Sequence, residues 1–265
     1  MSPPRPGALT FVRPSGVFLA LVAVTGLTGA LLWAGATQRW LVFVFVLAGW
    51  VVSLSLHEFG HAVSAYRGGD SSVVAKGYLS LDPRRYTVPL LSIGLPVLFV
   101  LAGGIGLPGG AVWIERSAIR ARSTLSLVSA AGPATNLALA AVVLLPLGAG
   151  WIDPAGRVFF ATGLAWLGVL QIAAAFLTLL PIPGLDGYGI IEPYLPPELA
   201  ARLAPIAGWS LLLVFFLLWR VEALAELFWD RVFGLADLLG VTAIFPVCGQ
   251  LTFEFWNTLP VACTP

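Results

Sequence analysis

Two histidines and a glutamate within five residues are the side chains best suited to chemistry in this chain. They lie in His57-Glu58-Phe59-Gly60-His61, and the 265-residue sequence has no other histidine. On a helix, residues four positions apart share a face one turn apart, so both imidazoles can bind one metal ion. Glu58, beside the first histidine, can then act as general base on a metal-bound water. The spacing predicts a zinc site at His57 and His61 with Glu58 as its base.

The alternative for this stretch is a pair of histidines that hydrogen-bond inside a helix bundle. That interpretation leaves Glu58 unexplained, because the stretch lies inside the apolar run 41–65. An ionisable side chain at membrane depth is energetically costly and is usually functional. The context therefore favours the metal site.

The composition is that of an integral membrane protein. The chain is 58% hydrophobic and 10% charged, with a mean hydropathy of +0.93, which excludes an ordinary soluble domain. A net charge of +1 gives no reason to expect nucleic acid as a partner. As an integral membrane protein, the chain is expected to contact membrane lipid. Cys248 and Cys263 lack metal-ligand spacing, so the metal must use nitrogen and oxygen ligands. Counting cysteines leaves open whether these two form a disulfide or are unrelated thiols.

Long apolar runs predict an all-α multi-pass membrane protein with about six transmembrane helices. We expect the spans at 17–36, 40–66, 124–147, 158–180, 204–219 and 238–261. The first run could instead be a signal peptide, since Ala34-Gly35-Ala36 resembles a cleavage site, but the run is long enough to span. The last could instead be an interfacial helix, because Pro246, Gly249 and Glu254 interrupt it.

The interval 67–122 carries the basic residues that set the orientation. Its seven lysines and arginines place it in the cytoplasm, and with it the N-terminus and the zinc motif at the cytoplasmic leaflet. Within the interval, Ser71–Leu81 and 109–114 have β character, while prolines and glycines break the apolar run 87–107. We therefore predict a small membrane-edge β-hairpin or sheet and a re-entrant segment.

Asp186 is the predicted third ligand, because a catalytic zinc takes three protein ligands. It lies in Pro181-Ile182-Pro183-Gly184-Leu185-Asp186-Gly187, which ends the fourth span at the depth of the two histidines. Irregular backbone at that depth must be buried in protein or line a wet cavity. The alternatives are a helix-stop turn in which Asp186 caps the next segment, and Glu192 as the ligand. Asp70 and Asp82 are weaker candidates, since they fall in a polar interval where solvated carboxylates are normal.

Four segments in this order resemble the site-2 protease family of intramembrane zinc metalloproteases. They are His57-Glu58-x-x-His61, Gly69-Asp70 with Tyr78-Leu79-Ser80-Leu81-Asp82-Pro83, Ala131-Gly132-Pro133-x-x-Asn136, and Leu180-Pro181-Ile182-Pro183-x-Leu185-Asp186-Gly187. The resemblance covers about residues 40–195 and is to a compact form, since no interval is long enough for a PDZ or CBS domain.

The resemblance implies His57, His61 and Asp186 as ligands of one zinc ion, Glu58 as the catalytic base and Asn136 as a polar group near the substrate. For Asn136 the alternative is a hydrogen bond between helices. The implied substrates are single transmembrane helices of membrane proteins, cut near the cytoplasmic side after a first cleavage outside the membrane.

The sequence thus predicts regulated intramembrane proteolysis, with Glu58 activating a zinc-bound water. A catalytically idle zinc-binding relative that binds transmembrane helices, and a metal transporter, are the alternatives. Glu58 argues against the first, and the second would favour further intramembrane polar residues or paired repeats. We also expect the extended region at Val112 and Trp113 to pair with the substrate by strand addition.

The expected organisation has three parts. Residues 1–39 form a cytoplasmic tail and the first anchor, 40–195 the protease core, and 196–265 the C-terminal transmembrane and amphipathic helices. The expected location is the plasma membrane of a bacterium.

Overall fold

A computed structural model describes residues 13–85, 112–258 and 263. Within these ranges the regular secondary structure is helical, and no β-strand occurs in them. The α-helices, numbered along the described chain, are α1 Gly16–Trp33, α2 Arg39–Gly68, α3 Ser72–Ala75, α4 Arg122–Gly148, α5 Val158–Thr178, α6 Asp186–Ile191, α7 Pro197–Leu203, α8 Ala207–Arg220, α9 Glu222–Leu238 and α10 Ile244–Phe253. Short 3₁₀ turns lie at Tyr78–Ser80, Pro83–Arg85, Arg116–Ala118, Glu192–Tyr194 and Ala204–Ile206.

The described residues contain five helical stretches long and apolar enough to cross a membrane. They are Gly16–Trp33, Arg39–Gly68, Arg122–Gly148, Val158–Thr178 and Pro197–Arg220. The prediction of a multi-pass α-helical membrane protein is therefore confirmed.

The predicted sixth span at 238–261 is wrong. Its helix, α10, has ten residues and is about 15 Å long, half the ~30 Å hydrocarbon core. Instead of spanning, α10 packs against α5. The contact is close at Gly249, where a Cβ would lie 2.1 Å from the Thr162 carbonyl oxygen.

The predicted β character of Ser71–Leu81 is also wrong. Residues 72–75 form α3, and Tyr78–Ser80 form a 3₁₀ turn. Asp70 Oδ1 accepts the Ser72 N–H at 2.9 Å, which favours a helical turn at that point. Val73 is fully buried in a hydrophobic cluster, so packing overrides the β propensity of this segment. Residues 112–115 form no regular strand, and the predicted re-entrant run 87–107 lies outside the described residues.

The chain divides into two compact units. The first comprises the described residues within 1–19, 54–132 and 179–210. Its core buries the C-terminal part of α2 against the segments that follow that helix, and consists of Ala62, Ala65, Val73, Tyr78, Leu79, Ile119 and Val128. The zinc motif therefore lies on a helix that is fixed by packing.

The second unit comprises the described residues within 20–53, 133–178 and 211–265, and α5 lies at its centre. The Arg39 guanidinium, at the start of α2, donates to carbonyls at and after the C-terminal end of α10. Its acceptors are Leu251 at 2.5 Å, Glu254 at 2.8 Å and Asn257 at 2.5 Å. A cation at a helix C-terminus satisfies carbonyls that lack an intrahelical partner.

Cys248 and Cys263 form a disulfide in this second unit. Cysteine counting left open a disulfide or two unrelated thiols, and the structure has the disulfide. Structural disulfides persist in oxidising compartments rather than in the cytosol.

Candidate metal centre

Helix α2 brings the two histidines of the motif together. His57 and His61 are both buried, and their Nε2 atoms lie 3.1 Å apart. The arrangement follows from the sequence, because an apolar 30-residue helix fixes residues i and i+4 on one face.

Asp186, the first residue of α6, completes the group. Its Oδ2 lies 3.4 Å from His57 Nε2 and its Oδ1 lies 3.3 Å from His61 Nε2. The three residues form a cluster of potential metal ligands within the first unit. The structure thus brings together the two histidines and the aspartate that the sequence singled out.

Close backbone packing sets the start of α6. Gly184 has φ +92°, which favours glycine, and a Cβ on Gly187 would lie 2.0 Å from the Leu179 carbonyl oxygen. Helix α6 also contacts α4, since Ser126 Oγ donates to the Ile190 carbonyl at 2.6 Å. The two glycines around Asp186 therefore let the chain fold back tightly enough to present its carboxylate to the histidines.

The hydrogen bond of His61 determines its tautomer. His61 Nδ1 lies 2.7 Å from the Val128 carbonyl oxygen. A carbonyl can only accept, so Nδ1 carries the proton and Nε2 keeps its lone pair for a metal. His57 Nδ1 is buried without a hydrogen-bond partner among the described residues.

The cluster fits a zinc ion in donor type, spacing and free volume. A tetrahedral ion with bonds of ~2.0–2.1 Å places its ligand atoms about 3.3–3.4 Å apart, close to the distances found here. Gly132 of α4 leaves the necessary space. A Cβ at Gly132 would lie 2.2 Å from His61 Nε2 and 2.5 Å from His57 Nε2, at the distance of a metal ligand bond. The absence of a Cβ at this position thus keeps open the volume that a metal would take.

Glu58 lies beside the cluster and is buried, with 3% of its surface exposed. Its Oε2 accepts the Val112 N–H at 3.1 Å. The bond orients the side chain from a segment more than fifty residues away.

The remaining candidate carboxylates lie outside the metal cluster. Glu192 forms an ion pair with Arg116 at 2.7 Å. Asp82 accepts from Arg84 Nε at 2.9 Å and Nη2 at 2.7 Å, and these hydrogen bonds hold the pKa of Asp82 below its usual range. The expectation that Asp70 and Asp82 are solvated is wrong, since both are buried. Hydrogen bonds from N–H donors replace the lost water at both carboxylates.

Asn136 is buried in α4, within the second unit. Its assignment as a group near the substrate stays a prediction. Sequence reasoning gave no individual role to Gly132, to the Val128 carbonyl or to the Val112 N–H. Gly132 was visible only as part of a motif, and main-chain groups have no sequence signature.

Replacing Gly132 with alanine is expected to abolish tight zinc binding, because the added methyl group takes the space between the two Nε2 atoms. We expect zinc affinity to fall at least about tenfold, the loss typical of disturbed metal surroundings. Metal analysis of the purified protein measures it. Gly26→Ala is the matched control, since a Cβ there meets nothing within 4 Å. Full zinc content in Gly132→Ala would contradict the assignment.

Comparison with known proteins agrees with this site. The chain is 50% identical over 251 residues to a protein of Mycolicibacterium smegmatis (strain ATCC 700084 / mc(2)155), covering 93% of this chain and 95% of the relative. It is 50% identical over 254 residues to one of Mycobacterium tuberculosis (strain ATCC 25618 / H37Rv), with the same coverage. A Bacillus subtilis (strain 168) protein is 33% identical over 176 residues, 63% of this chain and 77% of the relative.

All three carry the name "Putative zinc metalloprotease", with the designation Rip2 for the two mycobacterial proteins and YwhC for the Bacillus protein. No family model and no solved structure matches the chain. With the cluster of two histidines and an aspartate in a multi-pass membrane protein, the chain belongs with Rip2 and YwhC to the site-2 protease family of intramembrane zinc metalloproteases.

Proposed function

We propose that this protein hydrolyses a peptide bond within or near a transmembrane helix of a membrane-protein substrate. His57, His61 and Asp186 hold the zinc ion, and Glu58 is the base. The observation that carries the proposal is the meeting of three ligand atoms next to a buried carboxylate on the same helix. Regulated proteolysis of single-span substrates, after a first cut outside the membrane, is part of the proposal.

The roles of the side chains follow from where they lie. A bound zinc ion supplies Lewis acidity to the scissile carbonyl and lowers the pKa of water to about 7. Glu58 takes the proton of the attacking water at its carboxylate and passes it to the leaving amine. The Val112 N–H holds Oε2 at 3.1 Å, so the carboxylate stays in one orientation for both transfers.

Asn136 is proposed to stabilise the oxyanion of the tetrahedral intermediate. It lies four residues after Gly132 in α4, and therefore on the same helix face one turn away. Gly132 in turn lies against the Nε2 atoms of both histidines. A buried amide on this face can donate a hydrogen bond to a developing negative charge.

The orientation is proposed with the metal cluster toward the cytoplasm. The Ser15 N–H donates to the Ser80 carbonyl at 2.8 Å, so the start of α1 and the basic interval after α2 lie together. At the other end of α2, Arg39 contacts the region that holds the disulfide. A basic interval favours the cytoplasmic side, and a disulfide favours the outside.

Cysteine labelling in intact cells tests the orientation. The native cysteines are bonded to each other, so an introduced cysteine is the only free thiol. We expect Ala155→Cys, in the exposed loop before α5, to react with an impermeant maleimide in intact cells. Ser117→Cys, exposed in the interval, should react only after permeabilisation. The reverse pattern would show that the cluster is on the outer side.

Cleavage by purified protein tests the activity. We expect Glu58→Gln to lower cleavage of transmembrane peptides in liposomes by about 10²–10⁴-fold, the usual contribution of a general base, with zinc retained. Asp186→Asn should lose zinc, and Glu192→Gln should retain both zinc and cleavage. Equal cleavage by wild type and Glu58→Gln would overturn the role of the base. Zinc binding without cleavage by wild type would favour a catalytically idle protein that binds transmembrane helices. Zinc uptake into the liposomes would favour a transporter.

Strand addition by the substrate at residues 112–114 is also proposed. The Trp113 N–H has no acceptor among the described residues, and the Trp113 side chain is exposed. An extended substrate segment can pair with a main-chain N–H in such an exposed segment. Val112 is unsuitable for testing this idea, since its N–H is bonded to Glu58.

Trp113→Pro is therefore the informative change, because it removes the Trp113 N–H. We expect at least about a tenfold fall in kcat/KM, the loss of one well-formed hydrogen bond to the substrate in a dry site, with zinc retained. Trp113→Ala is the control, since it removes the side chain and keeps the N–H. Equal activity of the two variants would rule out strand addition through this residue.

A further inference from the structure

A buried carboxylate outside the metal cluster connects the end of α2 to a distant segment. Asp70 is 1% exposed, and each of its oxygens accepts one main-chain N–H. Oδ1 accepts from Ser72 at 2.9 Å, and Oδ2 accepts from Glu115 at 2.8 Å. No cation pairs with Asp70 among the described residues. The charge of this carboxylate is therefore stabilised by two charge-assisted bonds to the main chain.

Only one of these bonds has a local explanation. Ser72 lies two residues further on, and its bond to Oδ1 is the turn that begins α3. The bond to Glu115 joins residues 45 positions apart and contributes nothing to α3. An asparagine at position 70 would still accept the Ser72 N–H, since its side chain offers one oxygen acceptor. The second acceptor oxygen is what distinguishes aspartate here.

The segment that Asp70 holds leads directly to the base. Its first residue, Val112, donates its N–H to Glu58, and its last, Glu115, donates to Asp70. Between them, Lys76 Nζ donates to the Trp113 carbonyl at 2.7 Å. Side chains from α2 and the turns after it therefore fix both ends of four consecutive residues.

We propose that Asp70 is a positioning residue for the proteolytic reaction. By accepting the Glu115 N–H, it keeps residues 112–115 in the conformation in which the Val112 N–H donates to Glu58 Oε2. The inference rests on the proposed function, in which Glu58 is the base. Asp70 is not one of the metal ligands, and it acts through the main-chain N–H groups that it holds.

The first experiment compares two identical changes in the zinc-loaded protein. Whichever way the amide of Asp70→Asn is turned, one of the two N–H groups loses its acceptor. We expect kcat for a transmembrane peptide to fall about 10- to 100-fold, as for other residues that orient a catalytic group, with KM and zinc content unchanged. Asp82→Asn is the matched control, because it alters another buried carboxylate of the same interval that has no bond to residues 112–115. A rise in KM with unchanged kcat, or an equal loss in both variants, would overturn the proposal.

The second experiment removes the other partner of the same bond. Glu115→Pro deletes the donor, and the Glu115 φ of −82° is close to the angle that proline requires. Glu115→Ala keeps the donor and is the control. We expect Glu115→Pro to match Asp70→Asn, Glu115→Ala to stay near wild type, and the double variant Asp70→Asn/Glu115→Pro to be no worse than either single one. Additive losses would show that the two residues act separately and would contradict the proposal.

Amide hydrogen exchange separates this proposal from the proposed function. We expect peptides that cover residues 112–118 to exchange faster in Asp70→Asn than in wild type or Asp82→Asn. Unchanged exchange would show that Asp70 does not hold the segment, whatever the activity. Faster exchange with unchanged kcat would show that the segment does not position the base. If wild type cleaves no peptide, the proposed function fails. The exchange measurement still shows whether Asp70 holds residues 112–115.

Discussion

Three lone-pair donors meet in a buried site, and the rest of the first unit depends on keeping them there. The Nε2 atoms of His57 and His61 and the carboxylate of Asp186 lie 3.1 to 3.4 Å apart. Such atoms repel one another unless a cation lies between them, and their burial removes the water that would weaken that repulsion. The backbone must therefore impose the geometry. The i, i+4 spacing on α2 does so for the histidines, and tight packing at Gly187 does so for the aspartate.

Main-chain groups surround this polar site. The Val128 carbonyl accepts from His61, the Val112 N–H donates to Glu58, and the Glu115 N–H donates to Asp70. Side-chain donors would bring further charge or conformational freedom into a site at membrane depth. A main-chain partner brings neither, and it is itself a group that must be satisfied there. One set of hydrogen bonds thus satisfies the backbone and orients the reactive side chains.

Helix α2 begins in the second unit, where its first residue is bonded to another helix. Arg39 begins α2 and binds carbonyls at and after the end of α10, and the chain beyond α10 is tied back by the disulfide to Cys248. The first turn of α2 is thereby held within the second unit by main-chain acceptors.

The sequence by itself determined the chemistry and most of the spans. Helical periodicity fixes the facing of His57 and His61, hydropathy fixes the long apolar helices, and the Pro- and Gly-rich stop at Asp186 marks a bend at the right depth. Only tertiary structure decided that residues 72–75 are helical and 78–80 form a 3₁₀ turn, that α10 is too short to span, and that Gly132 lies against the two Nε2 atoms. It also decided that Asp70 and Asp82 are buried. The reason is physical: periodicity and burial of apolar residues are local properties of the chain, whereas these outcomes depend on which distant main-chain groups come within hydrogen-bonding or van der Waals distance.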